Sequence, residues 1–210
     1  MTALIDPNVA TFINVFTVEP SKQNTLVHRI KSDAETLISR QAGFIKATIH
    51  RSLDSSRVVN VVQWESVEAS REIHHNPEIA AGFASYQELN VQMDLRYYET
   101  ALTTRQHPLS LSDDSLVAQI DVLHVAPENQ QFLLEQLTHR STSAIASQTA
   151  DDSTTILRSL DGSRVIRFHD LHQSNDVGNT TPNSHQIIAT QNLIEQVDSN
   201  CYQVECIVAK

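Results

Sequence analysis

Laid on itself at an offset of 107 residues, the chain repeats. RSLDSSRV at 51–58 returns as RSLDGSRV at 158–165, and INVFTVEP at 13–20 returns as IDVLHVAP at 120–127. One register runs without a gap for about fifty residues, so the 210 residues hold two copies of one unit near 100 residues long. That length suits a small domain, and it restricts the fold to something a duplicated unit can build.

Each copy reads in the same order. Residues 12–18 alternate apolar and polar as a half-buried strand does, and Pro20 ends the run; 117–125 and Pro127 are the counterparts. Leu26, Ile30, Ala34, Leu37 and Ile38 recur at spacings of three and four, which predicts a helix within 21–40 with one apolar face. The matching face in the second copy is Phe132, Leu133, Leu137, Ser141 and Ile145. A strand from Gly43 through Ile49, a turn at 53–56 and a return strand at 57–64 form a hairpin, whose second copy carries the strong turn signal Asp161-Gly162. Ser66 caps a helix to about His75, with Glu68 and Glu72 near its positive end. Pro77 opens another helix to about Asn90, and a final strand covers 92–102.

The order β-α-β-β-α-β is the ferredoxin-like split unit, here twice, giving an α+β protein. Copies of such a unit pair sheet to sheet, so the expected architecture is an intramolecular dimeric α+β barrel with antiparallel sheets. Fusion makes that pairing independent of protein concentration. The expected division is a first domain at 1–102, a linker at 103–115 (TTRQHPLSLSDDS) and a second domain at 116–210.

Charge excludes some partners. A net charge of −10 leaves few cations for phosphates, so nucleic acid is not expected as a partner. Most of the acidity lies in the second half, at −8 against −2, which reads as a solvated surface. No apolar run of 18 residues and no signal-like N-terminus are present, so the expectation is a cytoplasmic protein without a membrane partner. Cys201 and Cys206, five apart on one strand, point to opposite faces and predict neither a disulfide framework nor a thiolate site.

INVFTVEP, a helix, then AGFIKATIHRSLDSSRVVNVVQWES together resemble antibiotic biosynthesis monooxygenase domains of the dimeric α+β barrel superfamily. The resemblance covers 10–100 well and extends through the repeat to 116–210, weakening after about 170. It implies an enzyme that oxygenates a phenolic or quinol-type aromatic with dioxygen, using neither metal nor flavin. It also implies site residues at Asn14, His50, Asn60 and Trp64. The amides and the indole N–H would donate to substrate oxygens, and His50 would accept the phenolic proton. A polycyclic substrate would need a hollow of at least roughly 300 Å³.

The repeat supplies a comparison within one chain. At the same offset the four candidates become Asp121, Leu157, Arg167 and Leu171, whereas Pro20, Arg51, Asp54 and Arg57 persist as Pro127, Arg158, Asp161 and Arg164. The expected working copy is therefore the first, with the second a degenerate structural partner. Ser70 stands where some family members have a Tyr, and the region of a family Arg falls at Ala84. Those two departures keep open a non-catalytic small-molecule-binding or structural role. A haem-degrading branch shares an early-strand Asn, but its haem-ligating position is Phe83 here, which ranks that activity third. His74 and His75, about 100° apart on a helix, do not share a metal ion, and the His169/His172 pair and the sequon at Asn179 read as accidental.

Overall fold

A computed structural model describes residues 5–104, 117–146, 153–171 and 191–210. Most of the expected linker, the sequon and His172 lie outside the described residues.

The first repeat has the expected order. β1 (Ala10–Thr17) is followed by a 3-10 turn that Pro20 starts, then α1 (Gln23–Thr36) and a further 3-10 turn at Ile38–Arg40. β2 (Phe44–Ser52) and β3 (Arg57–Trp64) form the hairpin. α2 (Val67–Glu72), α3 (Pro77–Gln87) and β4 (Gln92–Thr103) complete the unit. Ser66 Oγ accepts from Ala69 N at 3.1 Å and caps α2, while Asn76 accepts from Glu78 N at 2.9 Å ahead of Pro77 and caps α3. In the second repeat, β5 (Val117–Val125), α4 (Gln130–Ala146), β6 (Thr154–Ser159), β7 (Arg164–Leu171) and β8 (Ile194–Ala209) are described. The α+β class is as the repeat implied, and every ladder with a described register is antiparallel.

The chain divides into two compact units, Met1–Tyr97 with Tyr202–Lys210, and Tyr98–Cys201. β4 and β8 each cross from one unit into the other along the chain. In the first unit the hydrogen-bonded order is β1-β3-β2-β8, with the C-terminal half of β8 laid along β2 (Ala47↔Val208, Ser52↔Tyr202). In the second it is β8-β5-β7-β6-β4, with the end of β4 paired to β6 (Tyr98↔Ser159, Thr103↔Thr155).

The apolar stripe of α1 packs as its spacing predicts: Leu26, Val27, Ile30 and Ala34 are buried against Phe16, Ile49 and Val58 on one side and Phe44, Ala47 and Trp64 on the other. In α4 the stripe is rotated from the expected one. Phe132 is 53% exposed, and Leu134 joins Leu133 and Leu137 in the core instead. The reason is visible in the repeat, because Leu134 falls on the buried Val27 and Phe132 on the exposed Thr25.

The recurring RSLD motif is a structural latch. Ser52 Oγ donates to Asp54 Oδ1 at 2.6 Å and accepts from Arg57 N at 2.8 Å, closing the turn. Gln23 Nε2, reaching from α1, donates to the carbonyls of Ser52 and Arg57 at 3.0 and 2.9 Å. The second repeat builds the same latch from Ser159, Asp161, Arg164 and Gln130, with distances of 2.7, 2.9, 3.0 and 2.9 Å. Partial burial pushes the Asp54 carboxyl up, but hydrogen bonds from Ser52 and Ser56 and the Arg57 charge outweigh it, so the group sits below the ordinary 3.8.

The one difference between the two latches falls on a strained backbone. Ser55 has φ +64 and its counterpart Gly162 has φ +80, the left-handed region that a Cβ disfavours. A Cβ on Gly162 would also come within 3.0 Å of Pro127 Cβ. Ser55→Gly is expected to stabilise the protein by up to about 1 kcal/mol, and Gly162→Ser to destabilise it by more. Urea unfolding midpoints of the two variants check this, and a Ser55→Gly midpoint below wild type would refute it.

Candidate active site

The strand pair β1/β3 fixes what faces α1. Asn14 lies directly across from Asn60, Phe12 from Val62, and Ala10 from Trp64. Directly opposite residues share a face, and alternate residues along a strand return to it. Phe12, Asn14, Phe16, Asn60, Val62 and Trp64 therefore all point the same way, and all line one cavity of about 150 Å³ in the first unit. From β2, Ala47 adds to this wall; α1 supplies Ile30, Asp33 and Ala34, and α3 supplies Phe83 and Tyr86. Ser70 and Ile73 close one end. On β4, Met93 and Leu95 line the cavity while remaining 38% and 44% exposed, which places its mouth beside that strand.

Three polar atoms of this largely apolar cavity find no partner among the described residues: Asn14 Oδ1, Asn60 Oδ1 and Trp64 Nε1. Asn14 and Trp64 are 6% and 1% exposed. Leaving such an atom unpaired costs about 1–3 kcal/mol, and most buried polar groups avoid that cost. All three residues line the one hollow. Trp64 is held by an edge-on contact with Phe44 at 5.6 Å between ring centroids, which fixes the direction of its N–H.

His50 does not join them. It pairs with Val59, one residue out of phase with Asn60, and so belongs to the opposite face of the sheet, where its Nδ1 sits 3.3 Å from the Val59 carbonyl oxygen. Ser70, at a position where some relatives carry Tyr, is nonetheless met by a tyrosine: Tyr97 Oη donates to Ser70 Oγ at 3.2 Å, with its ring against Phe12 and under the Arg71 guanidinium.

Sequence reasoning missed Asp33 and Tyr86. Tyr86 Oη donates to Asp33 Oδ2 at 2.6 Å, and burial, then the hydrogen bond and charge of Asp33, push the Tyr86 hydroxyl far above its ordinary pKa. The available signal was a carboxylate three residues after Ile30 and beside Ala34, at the margin of an apolar stripe.

The second unit fills the equivalent ladder slot differently. Asp121 lies across from Arg167, as Asn14 lies across from Asn60. Arg167 Nε and Nη2 donate to Asp121 Oδ2 at 2.8 and 2.5 Å, and Gln119 and Ser199 donate to Asp121 Oδ1. Both partners are buried, at 0% and 5% exposed, so the position is occupied by a satisfied ion pair. Side-chain detail at Leu171, the counterpart of Trp64, lies outside the described residues.

The hollow falls short of the size expected for a polycyclic substrate. At about 150 Å³ it is half of what a fused polycycle needs and matches a space that takes a single benzene-sized ring.

The profile of the family "Antibiotic biosynthesis monooxygenase" matches residues 10–85, which include Asn14, Asn60 and Trp64. Tetracenomycin-F1 monooxygenase of Streptomyces glaucescens is 39% identical over 77 residues, covering 37% of this chain and 69% of that protein. Among solved structures, an anthrone oxidase-like protein superposes with a TM-score of 0.80 at 19% identity, over 100% of this chain and 95% of its own. A ferredoxin fold protein of Listeria monocytogenes related to antibiotic biosynthesis monooxygenases gives 0.52 at 10% identity, over 95% and 96%. These two show a shared fold along the whole chain.

Two expectations follow. Asn14→Leu, which removes an unpaired amide from an apolar wall, should raise stability by about 1–2 kcal/mol in urea titration while weakening ligand binding. Asp121→Ala, which strands Arg167, should lower stability by about 3–5 kcal/mol. An Asn14→Leu protein less stable than wild type would show that the amide has a structural partner.

Proposed function

The chain belongs to the antibiotic biosynthesis monooxygenase family, and on that premise we propose that it is a cofactor-independent monooxygenase acting on a phenolic or quinol-type aromatic in the cavity of the first unit. The observation that carries this reading is the convergence of Asn14 Oδ1, Asn60 Oδ1 and Trp64 Nε1, unpaired among the described residues, on one largely apolar hollow.

Phenolates are electron-rich enough to react with dioxygen directly, so the protein has to supply position, hydrogen bonds and dryness. The Trp64 N–H is suited to donate to the phenolic oxygen and to stabilise charge that develops on it or on a peroxide, and the Asn14 and Asn60 amide oxygens are suited to accept a substrate O–H. Phe12, Phe16, Val62 and Phe83 keep water from that charge and offer an apolar space into which dioxygen partitions. Given the volume, the substrate is one whose reacting portion is a single ring; larger ring systems would have to extend through the mouth at Met93 and Leu95. The family's polycycle chemistry is therefore not carried over whole.

Two other readings rank below it. Ser70 and Ala84, at positions where relatives hold Tyr and Arg, favour a binding protein that lost its chemistry as the second reading. Haem degradation is not proposed, because Phe83 faces the cavity and no His lines it among the described residues.

Oxygen uptake separates the first two readings. With hydroquinones, naphthols and anthrones as a panel, wild-type turnover should resist chelators and favour the smaller phenols. Trp64→Phe and Asn60→Ala should each lower kcat/KM by about 100-fold. Because Trp64 is the only tryptophan, its fluorescence reports occupancy independently. Quenching without oxygen consumption would decide for the binding protein.

A further inference from the structure

We infer that Asp33 is the general base of this site, taking the phenolic proton of the substrate, with Tyr86 as the residue that positions it. The inference rests on the functional reading above and deepens it, since His50, the base that the family resemblance suggested, faces the other side of the sheet.

Among the described cavity-lining residues Asp33 is the only carboxylate, and Tyr86 is the only other titratable one. Its two oxygens are differently engaged. Oδ2 accepts the Tyr86 hydroxyl at 2.6 Å, which orients the carboxylate from α3, whereas Oδ1 accepts no hydrogen bond from the described residues. Gly82 permits that approach, because its Cβ would stand 3.3 Å from Asp33 Oδ2. The charged groups around the pair are Arg29, one turn earlier on α1, and Glu88. Arg29 Nη1 is itself tied to Ser85 O and Glu88 Oε2 at 2.5 and 3.0 Å and so is not a direct partner of Asp33. The strand residues lining the cavity carry no titratable group.

In the step assigned, the phenolic O–H breaks, its proton passes to Asp33 Oδ1 and the electron pair stays on the substrate oxygen. The phenolate's ring carbon para to that oxygen bonds dioxygen, and the distal peroxide oxygen collects the proton back from Asp33. The hydroperoxide then loses water to leave a carbonyl. A phenol and dioxygen thus give a quinone and water, with dioxygen as the oxidant and the carboxylate unchanged. A positioned base of this kind contributes about 100- to 10,000-fold.

Asp33→Asn isolates the proton role, since the amide oxygen still accepts the Tyr86 hydroxyl and keeps α1 tied to α3. Against a phenol and a more acidic ortho-chlorinated phenol, both with a hydrogen on the para carbon, kcat/KM of Asp33→Asn should fall at least 100-fold at pH 7. It should recover as pH rises past the ionisation of the free substrate, and fall less for the acidic phenol. Tyr86→Phe should lower kcat more than it raises KM, and Asp33→Glu should restore part of the activity. Trp64 quenching should show that Asp33→Asn still binds. An Asp33→Asn enzyme within about threefold of wild type, or one whose loss is the same at every pH and for both phenols, overturns the assignment. If Trp64→Phe and Asn60→Ala still abolish turnover in that case, the oxygenase reading survives without this base. A wild type that binds the phenols and consumes no oxygen overturns both.

Discussion

The register of β1 against β3 is the constraint on which the site depends. A strand's side chains alternate, so a slip of one residue would send Asn14 to the opposite face and bring Val15 to the cavity wall. What prevents the slip is mostly apolar: Phe16 and Val58 on one side of the pair, and Ile13, Val59 and Val61 on the other, are all nearly or fully buried. The latch helps from beyond the strand ends. Gln23 ties the start of α1 to both sides of the β2/β3 turn, so the helix that roofs the cavity and the hairpin that floors it move as one piece.

The two repeats show the same slot under opposite demands. Position 14 across from 60 holds two amides whose oxygens are unpaired among the described residues, and position 121 across from 167 holds an ion pair whose two carboxylate oxygens both accept hydrogen bonds. Buried charges are tolerable when paired and hydrogen-bonded, and unpaired buried amides are a standing cost unless a ligand meets them. The latch survives in both copies at nearly identical distances, which identifies it as part of the frame. A motif that reads in sequence as a family signature, RSLD, is thereby explained by turn geometry, with no chemistry assigned to it.

Much of the fold was legible because it rests on periodicity. The strand at 57–64 and the cap at Ser66 fall where alternation and residue type put them. Phe132 shows the limit: an apolar residue at the stripe's margin looks like core until packing decides, and the repeat partner Thr25 was the better guide. The site was half legible. Asn14, Asn60 and Trp64 came from family resemblance; strand parity alone puts Asn60 and Trp64 on one face, and Asn14 joins them only through the β1/β3 register. Parity also separates His50 from Asn60 across β2 and β3, but only once the pairing of 50 with 59 is known, and register is what a single sequence does not specify. Asp33 was invisible for a different reason. A carboxylate beside an apolar stripe reads as a solvated flank, and its meaning depends on Tyr86, 53 residues later on another helix.

The small hollow changes how specificity should be understood. An apolar cavity of about 150 Å³ discriminates weakly between rings that differ by a methyl group, because one methylene in a hydrophobic pocket is worth only about 1–3 kcal/mol. Polar groups discriminate more strongly: a substrate lacking the oxygen that Trp64 and the amides expect would leave them buried and unpaired. On the proposed function, selectivity runs first on the presence of a phenolic oxygen and second on the size of the ring. Met93 and Leu95 govern the second test, since both are partly exposed at the mouth and the unbranched Met93 side chain adapts its shape at small cost. The walls around Trp64, packed by Phe44 and Ala47, have no such slack. Substrate range can therefore drift at the β4 side while the hydrogen-bonding floor stays fixed.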